Sequence, residues 1–186
     1  MKLGHVLWRK LIPAEIEQAD THLNDLCVDL IEQNHHELAI RLIHFRQQIP
    51  NPYSGAMELF FKINLSQAYK WRKDSKATAE AMASIKWEPL SEKYQLAKAV
   101  LEDRFDDAAA LMRKMGKTGE IKEAAYRIWP LFREFRKSPQ FAEALQEIFD
   151  SRFSVETEPQ TLIEEFFAPT LPSRDLPDAN HEAAPD

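Results

Sequence analysis

A single cysteine, Cys27, and only four glycines stand among the 186 residues. One thiol excludes an intramolecular disulfide framework and cannot alone supply a multi-cysteine zinc site. So few glycines argue against a Gly-rich phosphate cradle, in which backbone N–H groups must approach the anion closely. No uninterrupted apolar run nears the roughly 18 to 20 residues that span a bilayer. The opening MKLGHVLWRKLIPAEIEQ is broken by Arg9, Lys10, Glu15 and Glu17, and its apolar part is too short for a secretory core. These absences set the expectation of a cytoplasmic protein without membrane partners.

What is present suits one ordinary domain, since 44% of the residues are apolar and 29% charged, enough to bury a core. The formal charge of -6 is unevenly spread. From Val155 onward eight acids face Arg174 alone, so the remainder of the chain is almost neutral. An acidic end repels nucleic acid and anionic lipid, which makes nucleic acid an unlikely partner. The expected division is a helical domain over 1–153 and an acidic, proline-rich tail over 154–186.

The expected class is all-α, with about eight helices. Pro13 suits a first-turn position, and Ile16, Leu23, Leu26, Leu30 and Ile31 approximate a 3.6-residue stripe, predicting a helix from Pro13 to Gln33. Further helices are predicted over His36–Gln48, Ala56–Lys73, Lys76–Lys86, Ser91–Glu102 and Asp106–Met115. Ser75 is the expected N-cap of the fourth. A seventh, Glu120–Ile128 with Leu131–Arg136, bends at Pro130, and Ser138-Pro139 opens an eighth.

Small side chains recur at Ala39, Thr78, Ala109 and Ala144, and thirteen residues before each stands Leu26, Leu65, Leu96 or Leu131. This spacing predicts Leu-to-small contacts at four hairpin interfaces. Leu26-Cys27-Leu30, Leu65-Ser66-Tyr69 and Leu96-Ala97-Val100 carry the resemblance: over roughly Ile16 to Phe149 the chain is similar to the tetratricopeptide repeat family. Leu131-Phe132-Phe135 departs from that pattern at its small position, as a terminal cap can. The stretches FDDAAALMRKMG and YRIWPLFREFRKSPQFAEALQEIF also resemble the closing part of some bacterial helical-repeat proteins. The resemblance implies antiparallel hairpins and a scaffold or regulatory role, and it carries no catalytic residues. An irregular α-α bundle is the alternative architecture.

Function is expected at a basic-aromatic surface made by Arg127, Trp129, Phe132, Arg133, Phe135, Arg136 and Lys137, which suits a protein or an acidic peptide. The expected role is a protein- or peptide-binding adaptor or regulatory subunit without cofactor or catalytic residue. A small helical hydrolase or nuclease with an acidic-His site, and a homodimerisation module, are the alternatives. Residues 161–171, with Leu162, Ile163, Phe166 and Phe167 beside Glu164 and Glu165, read as a docking segment for the body or another protein. His22, Asp25, Asp29, Glu32 and His36 occur at helix-like intervals but read as a solvated face, and no metal site is expected. His44 reads as a buried or boundary histidine, Cys27 and Ser66 as small packing positions.

Overall fold

The fold starts from short helices that each leave one apolar stripe to bury. The computed structural model describes residues 12–49 and 57–150. Among these residues it is all-α, with eight α-helices, two 3-10 turns and no strand. The helices are α1 (Pro13–Glu32), α2 (His36–Gln47), α3 (Met57–Trp71), α4 (Ser75–Ala83), α5 (Glu92–Leu101), α6 (Phe105–Met115), α7 (Glu123–Ile128) and α8 (Pro139–Phe149). None is long and apolar enough to cross a membrane. Ala56 and the whole tail segment 161–171 lie outside the described residues.

Three turns repeat one backbone solution. Asn34, Lys73 and Asp103 all have φ near +60°, and each follows a helix end. The N–H groups of His35, Asp74 and Arg104 donate to Leu30, Tyr69 and Ala99 carbonyls at 2.7, 3.1 and 2.9 Å. Each turn residue donates in addition to the carbonyl three before it. This pairing satisfies carbonyls that a helix C-terminus leaves open, and it reverses the chain within three residues. The helices it joins pack together: α1 on α2, α3 on α4, α5 on α6. Asp74 rather than Ser75 caps α4, accepting from the Ala77 N–H at 3.0 Å. Aspartate one residue earlier satisfies the same first-turn amides.

Burial corrects the Leu-to-small register in its first and last units. Leu26 is 46% exposed, while its neighbour Cys27 is fully buried with Ile31. The inward face of α1 is set by Asp20, whose carboxylate pairs with the Arg46 guanidinium of α2, both without solvent exposure. That pair turns the helix so that Leu26 faces outward. Leu131 is buried but lies in a 3-10 turn, because Pro130 cannot donate to the helix ladder and Trp129 before it is extended. The left-handed turn residues also place Asp103 only 30 residues after Lys73, against 31 between Leu65 and Leu96. The third unit is therefore aligned by its turn one residue away from the leucine register.

Two buried clusters meet at α3. One holds Cys27, Ile31, Ala39, Ile43, Phe61 and Ala68 from the first three helices. The other runs from Ile63 through Leu96, Met112, Phe132 and Phe141 to Leu145. A buried ion pair such as Asp20–Arg46 fixes the first hairpin's register more than it stabilises it, since desolvation offsets most of the attraction.

Candidate functional site

Proline and a short apolar loop after α4 open a cleft between two helices. Residues Ile85 to Leu90 carry the chain from α4 to α5 without a helical turn to fill the gap. Trp87 anchors this loop: its indole N–H donates to the Met82 carbonyl at 3.0 Å, and Gln95 donates to its own carbonyl. The result is a cleft of about 700 Å³ between α4 and the end of α5. Its apolar lining includes Met82, Ile85, Trp87 and Leu101, and its rim includes Lys98 and Glu88.

The charges around the cleft divide into spent and available. Lys70 is spent, because its ammonium donates to the Leu101 and Val100 carbonyls at 2.7 and 3.2 Å and pairs with Asp103 at 2.6 Å. It thereby neutralises the negative end of α5. Glu102 is held by Arg104 at 2.8 Å. Lys98 has no ion pair among the described residues; its ammonium stands 6.0 Å from the Trp87 ring centre. Glu88 likewise has none. Thr78, one of two hydroxyl residues of α4 that line the cleft, donates to the Asp74 carbonyl at 2.8 Å. An apolar floor with one available cation and one available carboxylate suits noncovalent capture of a short side-chain pattern.

The basic-aromatic segment is used differently from the expected surface. Phe132 and Phe135 have no exposure and belong to the core, where Phe135 meets Phe105 and Phe141 with ring centres 5.4 and 5.2 Å apart. Arg136 is 7% exposed and donates to the Tyr126 and Trp129 carbonyls at 3.3 and 2.9 Å. Arg127 pairs with Glu123 and Lys137 with Glu134, each at 2.8 Å. Arg133 reaches furthest: it donates to Asn34 Oδ1 at 2.8 Å and the Glu32 carbonyl at 2.5 Å, and lies 4.3 Å over the Trp71 ring. The segment is thus a strut closing across the ends of α1 and α3. Trp129 alone keeps a half-buried aromatic edge, with its ring against Phe132 at 5.2 Å.

The strut creates an electrostatic consequence at His36. Burial, then the Arg133 and Arg72 guanidinium groups, hold its imidazole below the usual histidine range. Its Nε2 is buried without a hydrogen-bond partner among the described residues, and its ring meets Trp71 at 5.7 Å. Among the described residues no three His, Cys, Asp or Glu side chains converge in a metal-holding group. His44 is exposed rather than buried, bonding Tyr69 Oη and Gln47 Oε1 at 2.9 Å each. Comparison with protein-family models, curated proteins and solved structures finds no match to this chain.

The cleft's residues went unnoticed in the sequence because no single one is unusual. The signal that was there is KWEPLS: a tryptophan two residues before a proline between two helical patterns, where an exposed loop rarely needs so large an apolar side chain. The docking segment's Leu162, Ile163, Phe166 and Phe167 lie outside the described residues.

Proposed function

We propose that the chain is a protein- or peptide-binding adaptor or regulatory subunit, built on divergent tetratricopeptide-like hairpins, that holds a short partner segment in the α4–α5 cleft. The observation that carries this reading is the cleft itself, with its apolar floor of Met82, Ile85 and Trp87 and, on its rim, Lys98, which has no ion pair among the described residues. The ligand class that fits is an apolar side chain followed by a carboxylate. Lys98 receives the carboxylate and the floor receives the apolar group. The three recurring left-handed turns support the repeat reading, since they join successive helices by the same reversal.

Covalent capture in living cells tests it. A photo-reactive residue replaces the exposed Ala79, which lines the cleft, and a control replaces Ala110 on the exposed side of α6. A covalent adduct is expected from position 79 and not from 110. Lys98→Glu should reduce it severalfold while the helical circular dichroism stays unchanged. No adduct at 79, or one indifferent to Lys98→Glu, rejects the cleft as the binding site.

A further inference from the structure

The first hairpin has an apolar side that none of the described helices covers. In α1, Asn24 accepts from the Asn64 amide of α3 at 2.9 Å, which marks the side where α3 packs. Leu26 stands two residues on, about 160° round the helix from Asn24 at 100° per residue. In α2, His44 meets Tyr69 of α3, and Leu38 lies about 120° from it by the same count. Leu26 and Leu38 therefore both face away from α3. They are 46% and 48% exposed, the largest exposed apolar side chains within helices among the described residues. Leu42 and Phe45 continue the patch half-buried.

Charge flanks this patch asymmetrically. One turn beyond Leu26 on α1 stands Asp29, and Asp25 precedes Leu26; neither has an ion pair among the described residues. Burial and the Asp25 charge push the Asp29 carboxyl up. One turn beyond Leu38 on α2 stands Arg41, exposed and also without an ion pair among the described residues. An acidic helix and a basic helix on either side of an apolar centre form a self-complementary surface.

We propose that this face pairs with a second copy of the chain about a two-fold axis. Such an axis lays α1 of one copy antiparallel on α2 of the other, so that the Asp29 edge of each copy borders the Arg41 edge of its partner, and Leu26 and Leu38 of both copies share the centre. A basic partner of another kind would leave Arg41 opposed by a like charge, and an acidic one would oppose Asp25 and Asp29. The overlap is limited by α2, whose 12 residues span about 18 Å. With two helices about 10 Å wide each, the contact covers on the order of 400 Å² per copy, below the size of a standard stable interface. The pairing is accordingly weak and reversible, with a dissociation constant in the range of about 10 to 500 µM.

Sedimentation of the full chain at about 0.15 M salt, where charge repulsion beyond roughly 8 Å is screened, reads this directly. The expected result is a concentration-dependent monomer–dimer equilibrium that Leu26→Ser with Leu38→Ser weakens at least about tenfold. Asp29→Arg alone and Arg41→Asp alone should each weaken it, and Asp29→Arg with Arg41→Asp together should restore it to within about twofold. These positions are exposed, so circular dichroism is expected to stay unchanged and the charge swap reads pairing rather than folding. A chain that stays monomeric at about 1 mM, a dimer indifferent to the leucines, or a double swap without recovery overturns the proposal.

Discussion

Cys27 shows what burial does to a residue that sequence alone leaves chemically open. Its thiol has no exposure and is pushed up to about 12. An unfolded cysteine ionises near 8.5, so the folded chain holds the thiol neutral where the unfolded chain releases its proton. The raised value means that stability from this group is complete below about pH 8.5 and is lost as pH rises from there toward 12. The loss is at most about 1.4 kcal/mol per pH unit across that window. Urea unfolding of the chain and of Cys27→Ala at pH 7 and pH 10 separates this from other alkaline effects. The wild-type advantage should shrink at pH 10, and a constant difference would mean the thiol ionises without unfolding. The same burial predicts slow native labelling by thiol reagents. Leu26 beside it shows the limit of apolar counting: a stripe of Ile16, Leu23 and Leu26 reads as one face, but the buried Asp20 belongs to that face and Leu26 does not. An aspartate enters a core only with a partner, and Arg46 stands 26 positions away, beyond any local pattern.

At the scale of elements, α1 to α6 and α8 were legible because amphipathic stripes and prolines mark them, and their observed ends fall within a few residues of the expected ones. The turns were less legible, because their left-handed residue is Asn, Lys or Asp rather than glycine. Those three differ in their second duties. Asn34 accepts from Arg133 and Asp103 pairs with Lys70, whereas the Lys73 ammonium has no ion pair among the described residues. Lys73→Gly should therefore stabilise the chain by about 0.5 to 1 kcal/mol, because glycine has no Cβ to strain in this conformation. Its greater unfolded freedom offsets part of that gain. The melting temperature should rise by about 1 to 4 °C. Asn34→Gly and Asp103→Gly should gain less or lose, since each also removes a side-chain bond that joins distant elements. Equal gains at all three positions would show that Arg133 and Lys70 contribute nothing there. The strut was misread at this scale for a related reason: aromatics and arginines together suit a binding surface, but the same composition builds a core when guanidinium groups cap buried carbonyls, as Arg136 does.

For the whole described body, stability depends on how two buried clusters communicate. The first draws on α1, α2, part of α3 and Ala81 of α4, and the second on the Ile85–Trp87 loop, α5, α6, α8 and the strut, with Ile63 and Phe61 on α3 facing different clusters. Beyond α3, the strut supplies a direct tie, where Arg133 bonds the end of α1. Helical arrays with neighbour-only contacts lose cooperativity when one end is weakened, because each unit is stabilised by what it touches. Ile43→Ala empties a fully buried site in the first cluster and should cost about 2 to 4 kcal/mol there. Hydrogen exchange should then accelerate by at least about tenfold for amides of α1 and α2, while α6 and α8 keep their protection. Adding Arg133→Ala removes the long-range tie and should widen that difference between the halves. If Ile43→Ala instead speeds exchange equally in α1 and α8, the two clusters unfold as one cooperative unit, and α3 with the strut couples them more strongly than their separate packing suggests.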